Sequence, residues 1–136
     1  MSRVVLDASA VLVLLNNEPG AEYVERVVVE SGAVVSVVNW AEVLTKGVEA
    51  GQSPEIVREY FARSAVVGVR FQIEPLTEED ADTIARLRPA TRAAGLGLGD
   101  RACLALAKRL AAPVVTVDRA WATVSAPVGV EVRLAR

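Results

Sequence analysis

The chain has 136 residues, of which 52% are hydrophobic, with 15 Lys/Arg, 17 Asp/Glu and no histidine. The absence of histidine excludes Ser-His-Asp catalysis, imidazole acid–base pairs and histidine-ligated zinc. The single cysteine, Cys103, excludes an internal disulfide, and its apolar neighbours predict a buried, reduced thiol. The length is typical of one globular domain, so we expect residues 1–136 to form a single domain.

The apolar residues are not arranged as in a membrane or exported protein. Uninterrupted apolar runs reach only six residues, as at residues 10–15, which is too short to span a bilayer, and no signal-peptide pattern precedes that run. We therefore expect a cytoplasmic protein with no membrane partner. A mean hydropathy of +0.34 is high for a soluble monomer and predicts that another chain covers some apolar surface. Val24, Val27 and Val28 are predicted to form part of that contact face.

Charge is distributed unevenly along the chain. Residues 1–82 carry 6 Lys/Arg and 14 Asp/Glu, a net charge of −8, whereas residues 83–136 carry 9 Lys/Arg and 3 Asp/Glu, a net charge of +6. Two of the three late acids, Asp100 and Asp118, belong to motifs described below. The remaining surface of the C-terminal part is therefore basic, which predicts polyanion binding on that side.

Strand-like and helix-like segments alternate. Short apolar runs predict strands at residues 4–6, 33–36, 69–74, 114–117 and 130–134. Periodicity and capping residues predict helices at residues 8–15, 21–30, 37–49, 54–65, 77–87 and 101–110. A short further piece is predicted through residue 92, and a turn through residue 121 follows the strand at 114–117. Strands separated by helices predict an α/β fold, with a mostly parallel twisted sheet of about four to five strands between two layers of helices.

Four carboxylates stand where an apolar run gives way to a turn or a new helix: Asp7, Glu42, Asp100 and Asp118. In an open α/β sheet, such positions lie at the strand ends where ligands bind. Carboxylates brought together there raise each other's pKa unless a cation neutralises them. Oxygen ligands without nitrogen or sulfur favour Mg²⁺ or Mn²⁺ over zinc or copper. The sequence therefore predicts a divalent-metal site built from acids.

Each acid also fits a structural role when it is taken alone. Asp7 and Asp100 precede predicted helices that they are able to cap, Asp118 fits the start of a turn, and Glu42 follows Asn39 as in a loosened capping box. Their joint occurrence favours the metal site. The nearby glycine-rich run, residues 95–99, lacks the spacing of a nucleotide-binding loop and predicts a flexible turn before Asp100.

The motifs around the acids resemble those of PIN-domain ribonucleases, in order and over almost the whole chain. They read VLDASA at 5–10, SVVNWAEV at 36–43, LGDRACLALA at 98–107 and VTVDRAW at 115–121. The closest likeness is to the VapC-type toxins of bacterial toxin–antitoxin pairs. The resemblance implies a PIN-like three-layer α/β/α fold and an acidic metal-binding quartet. The quartet is Asp7, Glu42, Asp100 and Asp118, supported by Ser9, Asn39 and Thr116.

The resemblance also implies an activity and partners. It implies a metal-dependent endoribonuclease toxin, with Mg²⁺ or Mn²⁺ as cofactor, a small antitoxin protein as inhibitor and a homodimer as the assembly. Hydrolysis of a phosphodiester needs an activated water and charge neutralisation, which carboxylate-held metal ions supply. We expect Asp7 and Asp100 to be direct ligands, with Glu42 and Asp118 acting through water or at a second ion.

Three arginines in or beside the motifs, Arg92, Arg101 and Arg119, are candidates for RNA phosphate contacts, because guanidinium groups match phosphate oxygens. An ordinary solvated or acid-paired arginine fits each position equally well. Among other functions, a receiver domain resembles the chain poorly because no lysine follows the late strand at 114–117. A catalytically inactive PIN-fold binding module is the stronger alternative to the nuclease.

Overall fold

A five-stranded sheet forms the centre of the structure, a computed structural model that describes residues 3–63 and 70–136. The strands are β1 (Val4–Leu6), β2 (Ala33–Ser36), β3 (Phe71–Glu74), β4 (Val114–Thr116) and β5 (Val132–Leu134). Their spatial order is β3-β2-β1-β4-β5, and every neighbouring pair is parallel. The predicted parallel sheet of about four to five strands is confirmed.

Helices connect the strands. They are α1 (Ala8–Leu15), α2 (Ala21–Ser31), α3 (Val37–Glu49), α4 (Pro54–Arg63), α5 (Glu78–Arg86), α6 (Arg88–Thr91), α7 (Leu98–Leu110), the 3-10 helix Arg119–Thr123, and α8 (Ser125–Val128). The predicted end of the fourth helix at residue 65 and the predicted start of the third strand at residue 69 lie outside the described residues. None of the described helices combines the length and apolarity needed to cross a membrane.

Two apolar clusters pack on opposite faces of the sheet. Because successive strand residues point to opposite faces, Leu6 joins the cluster formed by α1, α2 and α3, whereas Val5 joins the cluster formed with α7. Trp40 lies in the first cluster and Trp121 in the second, and Cys103 is buried in the second as predicted. The result is the α/β/α layering expected from the sequence.

The prediction that α2 presents an apolar contact face to another chain is wrong. Val24, Val27 and Val28 are buried in the first cluster, because the apolar stripe of α2 packs on the sheet side of the molecule. An amphipathic stripe has the same sequence pattern whether it faces a core or a partner. Large apolar side chains are instead exposed on α4, where Ile56 and Tyr60 keep 52% and 56% of their surface.

Helix α7 begins three residues before its predicted start. Leu98 is its first residue, so Asp100 lies within the first turn and does not cap the helix from outside. The Asp100 carboxylate accepts a hydrogen bond from the backbone N–H of Gly97 at 3.1 Å, which closes this turn. Of the three glycines of the run, only Gly95 has a positive φ, 73°. The prediction of a flexible turn at residues 95–99 is therefore wrong for residues 98 and 99, which belong to α7.

Candidate metal centre

Asp7 follows β1 and is buried at the start of α1. Its Oδ1 accepts hydrogen bonds from the Ser9 hydroxyl at 2.7 Å and from the Ala10 N–H at 2.8 Å, and its Oδ2 accepts one from the Thr116 hydroxyl. Burial raises the pKa of Asp7 to about 6 despite these three donors, and the charge of Asp100 adds to the rise. The structural role considered from the sequence, capping of α1, is thus real, but the carboxylate also sits where its charge is unfavourable without a cation.

Asp118 lies just beyond the end of β4, the strand that pairs with β1. The two parallel strands end at the same edge of the sheet, which brings Asp118 to the side of the sheet where Asp7 lies. Thr116 links the two, because its hydroxyl donates to Asp7 and accepts the N–H of Asp118 at 3.1 Å. Ser9 makes a second link, donating to Asp7 and accepting the N–H of Val117 at 3.2 Å.

Glu42 is carried by the second turn of α3. Ser36, and not Asn39, caps this helix, since its hydroxyl accepts the N–H of Asn39 at 3.1 Å. The buried Asn39 side chain then donates to Oε1 of Glu42 at 2.8 Å and to the carbonyl oxygen of Gly99 at 2.9 Å. One amide side chain therefore joins the two acid-bearing helices, α3 and α7.

The pKa of Asp100 is affected by its burial and by the charges of neighbouring acids. Burial raises its pKa, the backbone N–H of Gly97 acts to lower it, and the charges of Glu42 and Asp118 raise it further. The same charge contributes to the raised pKa of Asp7. Asp100 therefore interacts through space with each of the other three acids, which lie on separate segments of the chain.

A buried thiol lies close to this group of acids. Burial raises the pKa of Cys103 well above its ordinary value, and the charges of Asp7, Asp100 and Glu42 add to the effect. A thiol held in its neutral form is neither a metal ligand nor a nucleophile. The predicted structural role of Cys103 agrees with this environment.

The donor set fits a hard divalent cation, although the carboxylates do not form a closed cage as they are oriented. Among residues 3–63 and 70–136, no group of three or more His, Cys, Asp and Glu side chains is placed so that it could hold a metal ion. Each acid accepts a hydrogen bond from its own neighbourhood. Within the described residues, however, no group donates to Oε2 of Glu42, Oδ1 of Asp100 or Oδ2 of Asp118. These oxygens are suited to Mg²⁺ or Mn²⁺.

The family model of the PIN domain matches residues 4–127, a span that contains all four acids. The chain belongs to the PIN domain family. This membership confirms the resemblance to PIN domains that was inferred from the motifs. PIN domains are in general nucleases, and PIN nucleases in general use divalent metals. Comparison with the sequences of curated proteins gives no match.

Solved structures similar to this PIN domain come from toxin–antitoxin systems. A toxin–antitoxin complex from Klebsiella pneumoniae has a TM-score of 0.72 at 18% identity, with 98% of each chain covered. DNA-bound VapBC from Salmonella typhimurium gives 0.69 at 17%, with 100% of each chain covered, and VapBC-1 from nontypeable Haemophilus influenzae gives 0.68 at 20%, with 97% of each covered. At these identities the likeness establishes the shared fold.

The three arginines predicted to contact RNA differ in their surroundings. Arg92 and Arg119 are exposed, and Arg119 directly follows Asp118. Arg101 is half-buried, and its guanidinium donates to the carbonyl oxygen of Ile84 on α5 at 3.0 Å. In this PIN domain, Arg101 thus has a structural contact of its own, whereas Arg92 and Arg119 face solvent.

Two residues that shape the site do not stand out in the sequence. The apolar pattern places Ser36 only in a strand, although a serine three residues before Asn39 is a recognisable helix cap. The glycine-rich pattern places Gly99 in a turn, yet a Cβ atom at this position would lie 2.6 Å from Oε1 of Glu42. No local pattern reveals that contact, because the two residues are 57 positions apart.

Proposed function

We propose that this PIN domain is a Mg²⁺- or Mn²⁺-dependent endoribonuclease of the VapC type, a toxin that hydrolyses RNA phosphodiester bonds. One observation carries the proposal: hydrogen bonds bring the carboxylates near one another, since Thr116 connects Asp7 with Asp118 and Asn39 connects Glu42 with Gly99, the neighbour of Asp100. Burial raises the pKa of both Asp7 and Asp100. Such an arrangement is unfavourable in isolation and becomes favourable when a cation is bound. The similarity to the VapBC structures supports the assignment to a toxin.

A bound divalent ion supplies positive charge for the phosphoryl oxygens and lowers the pKa of a water molecule. Asp7 and Asp100 are the proposed direct ligands, because Asp7 is held by Ser9 and Thr116 and Asp100 is near each of the other acids. Glu42, held by Asn39, is exposed and is proposed to bind a second ion or to orient the attacking water. Asp118, also exposed, is proposed to act through water or at a second ion.

RNA is the proposed substrate, and the cytoplasm is the compartment in which it would be met. The basic balance of residues 83–136, a net charge of +6, favours binding of a polyanion beside the acidic centre. Arg92 and Arg119 are exposed in this part of the chain and are the proposed phosphate contacts. Arg101 is the weaker candidate because its guanidinium is bound to the backbone of α5.

A small antitoxin protein is the proposed inhibitor, and a groove between α1, α3 and α4 is its proposed binding surface. The groove encloses about 340 Å³ and is lined by Leu12, Val43, Ile56 and Tyr60 among others. It shares Leu12 with a second depression of about 370 Å³ that reaches Ser9, beside Asp7. An extended segment with apolar side chains would fill the groove and end next to the acids.

The antitoxin proposal is testable with paired surface substitutions. Tyr60→Asp places a charge in the apolar groove, so we expect at least tenfold weaker binding of the antitoxin. Val29→Asp, at an apolar residue of α2 that is 45% exposed, is the matched control and should leave binding unchanged. Equal affinities of the two variants would contradict this binding surface. A homodimer also forms part of the proposal, and a monomer in light scattering of the purified protein would contradict it.

The nuclease proposal is tested by RNA cleavage with purified protein free of antitoxin. We expect cleavage with Mg²⁺ or Mn²⁺, none with a chelator, and none with Asp7→Asn or Asp100→Asn in either metal. Asp82→Asn removes an exposed acid of α5 and should cleave like the wild type. A protein that binds RNA in the presence of metal, but never cleaves it, would instead be the catalytically inactive PIN-fold binding module.

A further inference from the structure

Gly99 lacks a side chain at the point where the Glu42 carboxylate approaches α7. A Cβ atom there would lie 2.6 Å from Oε1 and 2.7 Å from Oε2, closer than Cβ atoms come to other atoms. The backbone of Gly99 is helical and its φ is not positive, so alanine would fit the backbone conformation. Alanine also favours a helix more than glycine does. The position of the carboxylate, and not the backbone, therefore accounts for glycine at this position.

Asn39 determines where the Glu42 carboxylate lies. One N–H of its buried amide donates to Glu42 Oε1 and the other to the carbonyl oxygen of Gly99, while its Oδ1 accepts the Ser36 hydroxyl at 2.6 Å. A rotated amide would direct Oδ1 at two acceptors, so the surroundings allow a single orientation. Ser36 thus fixes the Asn39 amide within α3, and the two amide protons hold Glu42 and connect α3 to Gly99 of α7.

Without this contact, electrostatic repulsion would move Glu42 away from Asp100. The Glu42 carboxylate lies against Gly99, whose neighbour in the chain is Asp100. Glu42 lies on the exposed side of α3, so its side chain has room to move farther from Asp100. A donor from Asn39 and free space at Gly99 together keep the carboxylate beside Asp100.

We propose that Asn39 and Gly99 are a pair of positioning residues for Glu42, in which Asn39 holds the carboxylate and Gly99 leaves the space that it occupies. The role of Glu42 in metal and RNA chemistry rests on the function proposed above. The positional claim itself concerns the metal-free protein and is measured separately. Neither residue touches the substrate in this proposal.

Gly99→Ala is the direct test. The new methyl group meets the end of a flexible side chain, so we expect Glu42 to move and the fold to be retained, with an unchanged or higher melting temperature. Affinity for Mn²⁺, titrated alone, should fall about 10- to 100-fold, the range typical of groups that orient a ligand. Asn39→Ala should produce a loss of similar size. RNA cleavage should decrease with each variant through kcat more than through KM.

A double-mutant cycle separates positioning from a general structural effect. In a Glu42→Ala background there is no carboxylate for the methyl group to displace, so Gly99→Ala should cause no further loss of Mn²⁺ affinity. The same loss in both backgrounds would overturn the proposal, as would wild-type affinity in Gly99→Ala alone. If Gly99→Ala does not fold, the comparison of Asn39→Ala with and without Glu42 decides in the same way.

A measurement without metal distinguishes failure of this inference from failure of the proposed function. In NMR spectra of the metal-free wild type, the side-chain amide protons of Asn39 should exchange slowly with solvent. They should exchange faster in Gly99→Ala and Glu42→Ala, because one acceptor has moved or gone. Unchanged exchange in both variants would overturn the positioning role, even in a protein that binds Mn²⁺ and cleaves RNA. A wild type that shows the exchange pattern but binds no Mn²⁺ would leave the positioning intact and contradict the proposed function.

Discussion

The hydroxyl of Thr116, at the end of β4, donates a hydrogen bond to Oδ2 of Asp7, at the end of β1. The same hydroxyl accepts the N–H of Asp118, so one side chain connects the first and last acids of the site. Asp7 nevertheless keeps a raised pKa of about 6, because burial outweighs its hydrogen bonds. Asp7 therefore affects stability and the proposed activity in opposite directions.

Asp7→Asn should stabilise the metal-free protein, and more so at higher pH. The folded-state pKa of about 6 lies above the ordinary value of 3.8, so the stabilising effect of protonation is present below about pH 4 and is lost as the pH rises through 6. At about pH 8 the ionised carboxylate costs about 3 kcal/mol, which a neutral amide avoids. Thermal unfolding with a chelator measures the difference between the two proteins. If the variant and the wild type differed in stability by the same amount at about pH 4 and at about pH 8, the prediction would be contradicted.

Asp100→Asn should abolish RNA cleavage while it leaves the fold intact or more stable. Burial and the charges of Glu42 and Asp118 raise the pKa of Asp100, so removing its charge relieves repulsion in the metal-free site. The amide oxygen still accepts the N–H of Gly97. Melting temperature and cleavage rate are measured on the same preparation. Metal-dependent cleavage retained by this variant would contradict the assignment of Asp100.

The opposite pH dependence is expected from Asp80, which is buried away from the four acids. Burial acts to raise the pKa of Asp80, but the backbone N–H of Thr77 and the guanidinium of Arg109, 3.1 Å away, outweigh it, so the pKa is lower than usual. Its stabilising effect is present above the ordinary pKa and is lost as the pH falls through the lowered value.

Asp80→Ala leaves Arg109 without its carboxylate and should lower the free energy of unfolding by about 3 kcal/mol at neutral pH. Chemical denaturation measures this loss, which should shrink as the solution is acidified towards the unfolding range. RNA cleavage by the folded fraction should match the wild type, because Asp80 is not part of the proposed centre. A variant as stable as the wild type would show that the ion pair contributes little.

Arg119→Ala and Arg101→Ala should have different effects. Arg119 is exposed beside Asp118, so its loss should weaken RNA binding. The slope of log Kd against the logarithm of the salt concentration should decrease by about one. Arg101 is bound to the carbonyl oxygen of Ile84, so its loss should mainly lower the melting temperature. Binding titrations at several salt concentrations, with melting curves, compare the two. A larger binding defect in Arg101→Ala would reverse these roles.

Much of the fold was predictable because its signals are local. Short apolar runs and the caps between them predicted the order of strands and helices, and parallel strands must end at a common edge. That geometry is why the motifs alone suffice to place Asp7 and Asp118 together. The first two strands have the predicted bounds, whereas β4 ends one residue earlier and β5 begins two residues later than predicted, and the turn after Asp118 is a 3-10 helix.

The errors concern relationships between distant segments. Residues 24, 27 and 28 form a stripe whose sequence pattern does not say whether a core or a partner covers it. The start of α7 is the exception, because the hydrogen bond between Asp100 and Gly97 joins residues only three positions apart. Glycine at 99, by contrast, depends on the side chain of Glu42, 57 positions away. Such contacts follow from packing, so composition and periodicity could not reveal them.

The most direct test of the central claim is RNA cleavage in water enriched in ¹⁸O, followed by analysis of the new ends. Hydrolysis with a metal-activated water predicts terminal phosphates that carry one ¹⁸O atom, formed with Mg²⁺ or Mn²⁺ and absent in Asp7→Asn. The resemblance to PIN-domain ribonucleases implies that these phosphates are at the 5′ ends. Cleavage that continues in chelator, or products that end in unlabelled 2′,3′-cyclic phosphates, would contradict a nuclease centre built from Asp7, Glu42, Asp100 and Asp118.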